Sequence, residues 1–241
     1  MRKTKKKIEK INKLLISRFG VPLRQAVPPN PVDMLVATIL SQNTNDKNSY
    51  KAFTSLKKKY KNWTEVAHLT KEEIEKEIRA AGLGKQKSAT IKNFLNSLLE
   101  KRGVISLDFL TAESDEKIIR ELTSYSGVGV KTASCVLLFA LHRNICPVDT
   151  HVHRTVNRLG IVCASTPDKT FWLLKEIMPE KIAHQFHTNL IRLGREICKP
   201  AKPLCLVCPL LKACAFENKN MVEHASFKTN DFMLLDNVNL N

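Results

Sequence analysis

Apolar residues recur three or four positions apart along most of the chain, the spacing that places side chains on one face of an α-helix. Strand-like alternation of apolar and polar residues is hard to find. Clusters of glycine and proline separate the periodic stretches, as they do between helices. The pattern therefore predicts an all-α protein of about ten helices. Typical stretches carry Ile8, Ile11 and Leu15, then Ile91, Phe94, Leu95 and Leu98, then Phe186, Leu190, Leu193 and Ile197.

The strong positive charge of the chain predicts a polyanionic partner. The 241 residues include 39 Lys and Arg against 23 Asp and Glu, a formal net charge of +16. We expect nucleic acid as the partner, with an acidic membrane surface as the alternative. No stretch approaches the roughly 20 apolar residues of a membrane span, and the Lys-rich start lacks the apolar core of a signal peptide. We therefore expect a soluble, intracellular protein, in a prokaryotic cytoplasm or nucleoid or in a nucleus, with no membrane partner.

Four of the seven cysteines form the pattern C-x6-C-x2-C-x5-C near the C-terminus. Closely spaced thiolates in a reducing cell would repel one another and oxidise unless a metal neutralised them. Four thiolates suit zinc or a cubane iron–sulfur cluster. Zinc sites commonly use two C-x2-C pairs and only one is present here, which favours iron–sulfur. The four are Cys198, Cys205, Cys208 and Cys214, and we expect Cys135, Cys146 and Cys163 to pack in the core.

A short loop with two glycines lies between an amphipathic stretch and a mostly apolar one within residues 122–141. Glycines allow the backbone to approach a phosphate closely, and the unpaired amides at the start of the following helix are donors for it. Gly127, Val128 and Gly129 therefore predict a helix-hairpin-helix that binds the DNA backbone without reading sequence. An ordinary glycine turn between two helices is the alternative.

Lys131 occupies the first turn of the helix that follows the hairpin. The helix dipole and the apolar residues 133–141 both disfavour a charged amine there. A neutral amine is a nucleophile that can attack C1′ of a sugar and form a Schiff base. A solvated lysine that contacts phosphate fits this neighbourhood equally well.

Asp149 has the position of a helix N-cap. A carboxylate there can also face a reacting sugar, stabilise its oxocarbenium character and help to deprotonate the lysine. We expect His151 and His153 to pack or to contact phosphate rather than to bind a metal, since histidines two residues apart on a helix point in different directions.

The hairpin with its lysine, the segment Val148–His151 and the cysteine spacing together resemble the endonuclease III family, over a region from about Val32 to Cys214. The resemblance implies two helical lobes: a barrel domain with the hairpin, residues 23–143, and a domain formed by residues 1–22 and 144–214. Residues 215–241 would be a tail of unknown order. It also implies Lys131 as nucleophile, Asp149 as its acidic partner and a [4Fe–4S] cluster held by the four cysteines.

The resemblance further implies a monomer that binds double-stranded DNA and rotates a damaged or modified base out of the stack, leaving a gap to be filled. Two loops match those that supply a polar filler and an apolar wedge in the family, although ordinary helix-end chemistry also explains both. The implied DNA contacts are Gln42 or Asn43 as filler, Leu83 as wedge, and Gly127, Val128, Gly129, Thr132 and His151.

Two departures bear on the substrate. Tyr125 and Ser126 replace the usual Leu-Pro before the hairpin glycines, and Val130 replaces a residue that is often basic in the family. Residues 131–142, followed by residues 147–150, are also similar to plant 5-methylcytosine glycosylases. We therefore predict a base excision repair glycosylase with lyase activity on damaged or modified pyrimidines, without choosing the base. A monofunctional glycosylase and a catalytically silent DNA-binding module are the alternatives.

Overall fold

The computed structural model describes residues 2–222, so residues 223–241 of the predicted tail lie outside the described part. Across the described residues the secondary structure is entirely helical, without strands, which confirms the all-α prediction. None of the described helices is long and apolar enough to cross a membrane. The eleven α-helices of this part are α1 Arg2–Phe19, α2 Pro31–Ser41, α3 Asp46–Lys59, α4 Trp63–His68, α5 Lys71–Ile78, α6 Gly84–Arg102, α7 Asp115–Thr123, α8 Val130–Cys135, α9 Thr150–Arg158, α10 Pro167–Ile177 and α11 Ala183–Glu196.

The described chain divides into two compact units, residues 24–143 and residues 2–23 with 144–222. The first unit contains α2 to α8, and the second contains α1 and α9 to α11. That the two parts are separate domains, as the resemblance implies, stays a prediction.

Helix α2 forms the centre of the unit 24–143. Asn30 begins it by accepting hydrogen bonds from the amides of Val32 and Asp33, and Pro31 occupies its first turn, where a missing amide hydrogen costs nothing. Every residue from Pro31 to Leu40 is buried, because α3, α6 and α8 all pack against this helix.

The same unit buries one carboxylate among its helices. Asp33 is 6% exposed and accepts hydrogen bonds from Lys57 Nζ at 3.2 Å and Trp63 Nε1 at 2.6 Å. These partners satisfy a charge that would otherwise be costly to bury. The contact joins α2 to α3 and α4.

In the second unit, α1 packs on α11, which also packs on α9. Asn189 Nδ2 donates to Gly20 O at 3.0 Å, and Arg192 Nη1 donates to Phe19 O at 2.9 Å. Side chains of α11 therefore satisfy carbonyls at the end of α1, which a helix leaves without internal partners. These contacts attach the first helix to residues more than 160 positions later.

One expectation about the core is wrong. Cys135 and Cys146 are buried as predicted, but Cys163 is exposed. The apolar neighbours of Cys163 suggested a core position, but the residue lies in the irregular connection between α9 and α10, where Ile161 is the apolar residue that packs inward. Loops lie on the surface because their backbone groups need solvent, so an apolar sequence context did not ensure burial here.

Candidate functional site

The hairpin between α7 and α8 depends on glycine at one position. Gly127 has a φ of +83°, and a Cβ added there would lie 2.4 Å from Thr90 Oγ1 on α6. Both the left-handed backbone and the close approach of α6 therefore require a residue without a side chain. Between the glycines, Val128 is 5% exposed and its amide donates to Tyr125 O at 3.0 Å.

The start of α8 presents unpaired backbone amides. The first hydrogen bond of this helix runs from Ala133 N to Gly129 O, so the amides of residues 130–132 have no hydrogen-bond partner within the helix. No side chain in the described chain caps this end, and an added Cβ on Gly129 would meet open space. Amides in this arrangement suit an oxyanion such as a DNA phosphate.

Two predicted DNA contacts can act only through the backbone. The side chains of Val128 and Thr132 are buried, and the Thr132 hydroxyl accepts a hydrogen bond from Gln42 Nε2 at 3.4 Å. The hairpin is thus joined to the loop after α2 by a side chain that was predicted to enter DNA.

Alanine substitutions at the two hairpin glycines should have different effects, one on stability and the other on DNA binding. We expect Gly127→Ala to lower stability by about 1–3 kcal/mol, because it meets both a positive φ and the Thr90 side chain. Gly129→Ala should retain the melting temperature and weaken DNA binding, since its methyl group occupies the open side of the hairpin. Thermal melting and a DNA titration of both variants test this pair, and equal melting temperatures would contradict the structural role of Gly127.

Tyr125, which departs from the family pattern, is a core residue of the hairpin. It is 4% exposed, its ring lies edge-on to Phe94 with centroids 5.2 Å apart, and its hydroxyl donates to Glu121 Oε1 at 3.1 Å. Burial, followed by the hydrogen bond from the hydroxyl to Glu121, raises the pKa of Tyr125 to about 12. Tyr125 therefore supports the hairpin from within the core, and its side chain presents no new group to a base.

Lys131 is the second residue of α8, as predicted, and is half-buried. Its carbonyl accepts a hydrogen bond from Ser134 Oγ at 3.0 Å, and its ammonium makes no ion pair with any described residue. Lys131 thus belongs to the same helix start as the unpaired amides of residues 130–132.

Asp149 caps α9, which confirms the predicted N-cap. Its Oδ1 accepts the amide of Val152 at 2.8 Å. The preceding segment is buried, and the ring of His187 on α11 bonds Pro147 O at 2.9 Å. Helix capping and this anchor hold the carboxylate in one place.

The two histidines after Asp149 differ. His153 Nδ1 bonds Thr170 Oγ1 at 2.7 Å, an internal contact of the kind that the packing alternative predicts. His151 lies against Gly194, where an added Cβ would approach the His151 Cβ to 2.7 Å. Burial is the main cause that lowers the pKa of His151, with Asp149 acting in the opposite direction, so the ring is neutral near pH 7 and can still donate one hydrogen bond.

The two loops implied to enter DNA share an unusual backbone. Asn43 and Leu83 both have a φ of +49°, and Leu83 is 50% exposed at the start of α6. Asparagine tolerates this conformation, but leucine does so at a cost. A leucine that is both exposed and in a left-handed conformation is poorly explained by folding alone, which favours a role in binding.

The four cysteines line one pocket together with Arg158 and Phe216. Short 3₁₀ turns at Cys205–Val207 and Leu211–Ala213 direct the loop back on itself. Burial is the largest cause that raises the pKa of the Cys208 thiol to about 11, so a thiolate there needs a cation close by. The donor set fits a thiolate-ligated metal group, although no three His, Cys, Asp or Glu of residues 2–222 form a group that could hold a single metal ion.

Two arginines of α9 that the sequence analysis did not identify support this loop. Arg154 donates to Cys198 O at 2.9 Å and Gly194 O at 2.9 Å. Arg158 donates to Cys198 Sγ at 3.4 Å and stacks on Phe216, with its guanidinium carbon 4.3 Å from the ring centroid. Their spacing of one helical turn, directly after the Asp149 cap, was the signal that could have identified them.

Comparison with known proteins agrees with this geometry. The family model of the HhH-GPD superfamily base excision DNA repair protein matches residues 36–180. Endonuclease III of Thermotoga maritima is 35% identical over 209 residues, which cover 87% of this chain and 92% of that protein. DNA glycosylase/AP lyase ROS1 of Arabidopsis thaliana is 28% identical over 170 residues, which cover 63% of this chain but 12% of that much longer protein.

Among solved structures, a trapped endonuclease III–DNA covalent intermediate matches with a TM-score of 0.72 and 29% identity, covering 87% of this chain and 95% of that one. The resemblance to endonuclease III is therefore confirmed. This chain belongs to the HhH-GPD superfamily of base excision DNA repair proteins.

Proposed function

We propose that this base excision repair DNA glycosylase is bifunctional. Acting as a monomer on double-stranded DNA, it excises a damaged or modified pyrimidine and then cleaves the strand at the abasic site. The observation that carries the proposal is Lys131, a half-buried lysine in the first turn of α8, the helix start whose unpaired backbone amides suit a DNA phosphate. The ROS1 relative is called an AP lyase, and the matched endonuclease III structure is called a covalent intermediate, which supports the same chemistry.

Lys131 acts as the nucleophile in this proposal. Its neutral Nζ attacks C1′, the bond between C1′ and the base breaks, and the base leaves after taking up a proton. The amine then loses a proton and the sugar ring opens to an imine. Loss of a C2′ proton breaks the C3′–O bond, which cleaves the strand by β-elimination. Four proton transfers balance the sequence: the departing base and the ring oxygen O4′ each take up a proton, and the amine and C2′ each lose one, with solvent or a nearby base as donor or acceptor. Water then hydrolyses the imine and releases Lys131.

Asp149 is the acidic partner in the proposal. A carboxylate fixed at a helix cap can stabilise positive charge that develops at C1′ and can accept the proton of Lys131. The two residues lie in different units of the chain, so each assignment rests on its local geometry and on the family resemblance.

The four cysteines would hold a [4Fe–4S] cluster, and Arg158 would donate a hydrogen bond to the sulfur of Cys198. When bound, such a cluster cross-links the loop through metal–thiolate bonds, which serves as a structural staple. The pocket formed by the cysteines and the hydrogen bond from Arg158 support this assignment. Iron and acid-labile sulfide in equal amounts are expected in the purified protein, and zinc with neither would overturn the assignment.

Borohydride trapping tests the proposed activity. The purified protein is incubated with duplexes that carry an abasic site, thymine glycol, uracil or 5-methylcytosine, and both released base and reduced covalent complex are measured. We expect trapping on the abasic site and on at least one base-bearing duplex, which then identifies the substrate class. Base release without trapping would indicate a monofunctional glycosylase, and binding without either would indicate a DNA-binding module.

A further inference from the structure

One lysine is buried in the unit 24–143, where its ammonium bonds backbone carbonyls instead of a carboxylate. Lys87 on α6 is 1% exposed and is among the largest fully buried side chains of the described chain. Its ammonium donates to Leu40 O and to Ala81 O, each at 2.8 Å. Burial lowers the pKa of Lys87, and a buried amine is retained only where hydrogen bonds compensate its lost hydration.

The two acceptor carbonyls lie at the bases of the two loops implied to enter DNA. Leu40 is at the end of α2, two residues before Gln42 and three before Asn43. Ala81 lies two residues before Leu83. The amide of Lys87 also donates to Leu83 O at 3.0 Å, in the first turn of α6.

Core packing alone does not require an amine here, since methionine or leucine would fill the same volume without a desolvation cost. The amine adds two hydrogen bonds, one to a carbonyl at the base of each loop, from a single nitrogen atom. Carbonyls at the end of α2 attract a cation. Without Lys87 these carbonyls would need water as a hydrogen-bond partner, and burial excludes water here. Lys87 therefore links the two loop bases through one nitrogen atom.

A polar filler and an apolar wedge must enter a duplex at a set separation if a base is to be held out of the stack. We propose that Lys87 is a positioning residue that holds the loops of residues 41–45 and 82–83 at this separation, without contact to DNA. This inference rests on the proposed function of those two loops. A further hydrogen bond, from Gln42 Nε2 to Thr132 Oγ1, joins the loop after α2 to helix α8 of the hairpin.

Lys92 provides a matched control on the same helix. Its ammonium also donates to two backbone carbonyls, Ala67 O at 3.0 Å and Leu69 O, at the end of α4. Neither carbonyl belongs to a loop implied to enter DNA. Lys92→Met therefore removes the same kind of contact as Lys87→Met while leaving both loops attached.

The test measures base unstacking directly, with 2-aminopurine placed in the target pair of a duplex. Wild-type protein should raise the fluorescence of 2-aminopurine on binding. With Lys87→Met this rise should be smaller by at least about fivefold, while the DNA affinity stays within about threefold of wild type. Lys92→Met, which also removes two bonds to backbone carbonyls, should keep the fluorescence rise. If Lys87→Met does not fold, Lys87→Gln, too short to reach both carbonyls, is measured with the same expectation.

Base excision is measured in parallel, so that the two proposals fail separately. A normal fluorescence rise with Lys87→Met, or an equal loss with Lys92→Met, would overturn the role of Lys87 even if excision is intact. Wild-type protein that unstacks the base without excising it would overturn the proposed activity, while the comparison of the two variants still decides the role of Lys87.

Discussion

Lys131→Gln is expected to abolish borohydride trapping and to lower single-turnover base excision by at least about 1,000-fold, because the nucleophile is removed and water must replace it. DNA binding should remain within about tenfold, since the backbone amides of the hairpin are unchanged and one charge is lost. Excision kinetics, trapping and a DNA titration of the variant measure the three quantities separately.

Lys85→Gln is the matched control for this substitution. Lys85 is the second residue of α6, as Lys131 is of α8, and both helices follow a glycine-containing loop. The control removes an equivalent charge and should reduce affinity without loss of trapping. Full excision by Lys131→Gln would instead show that water is the nucleophile.

Asp149→Asn is expected to reduce excision by about 100- to 10,000-fold while the protein stays as stable as wild type. Asparagine is a good N-cap, so its side-chain oxygen can still accept the amide of Val152, but it carries no charge and is a poor proton acceptor. Thermal melting and single-turnover excision of the variant give the two results.

Asp149→Ala separates capping from chemistry. It removes the cap as well as the charge, so it should lose about 1 kcal/mol of stability in addition to the activity. If Asp149→Asn excises at the wild-type rate, the carboxylate has only a capping role and the proposed mechanism needs another proton acceptor.

The sequence predicted those features that depend on local rules. Helical periodicity predicted the all-α fold, because an apolar face every three or four residues is independent of which helices pack together. The cap at Asp149 and the helix start at Lys131 followed from the chemistry of helix ends. The cysteine spacing likewise placed four thiols in one loop.

Features that depend on packing between distant segments were not predictable. In the sequence Lys87 is a polar residue within a helical stretch, and only the end of α2 and the 3₁₀ turn Arg79–Ala81 after α5, which lie near it in the fold, show why it is buried. Cys163 was assigned to the core from its neighbours but lies in an exposed connection. The close contact of Thr90 with Gly127 also depends on how α6 meets the hairpin.

The most direct measurement is to locate the covalent bond after borohydride reduction. Wild-type protein is trapped on a duplex with an abasic site, the complex is digested with protease and nuclease, and the modified peptide is sequenced by mass spectrometry. The proposed mechanism predicts a reduced sugar adduct on the Nζ of Lys131. An adduct on another amine, such as the N-terminus or Lys85, would contradict it.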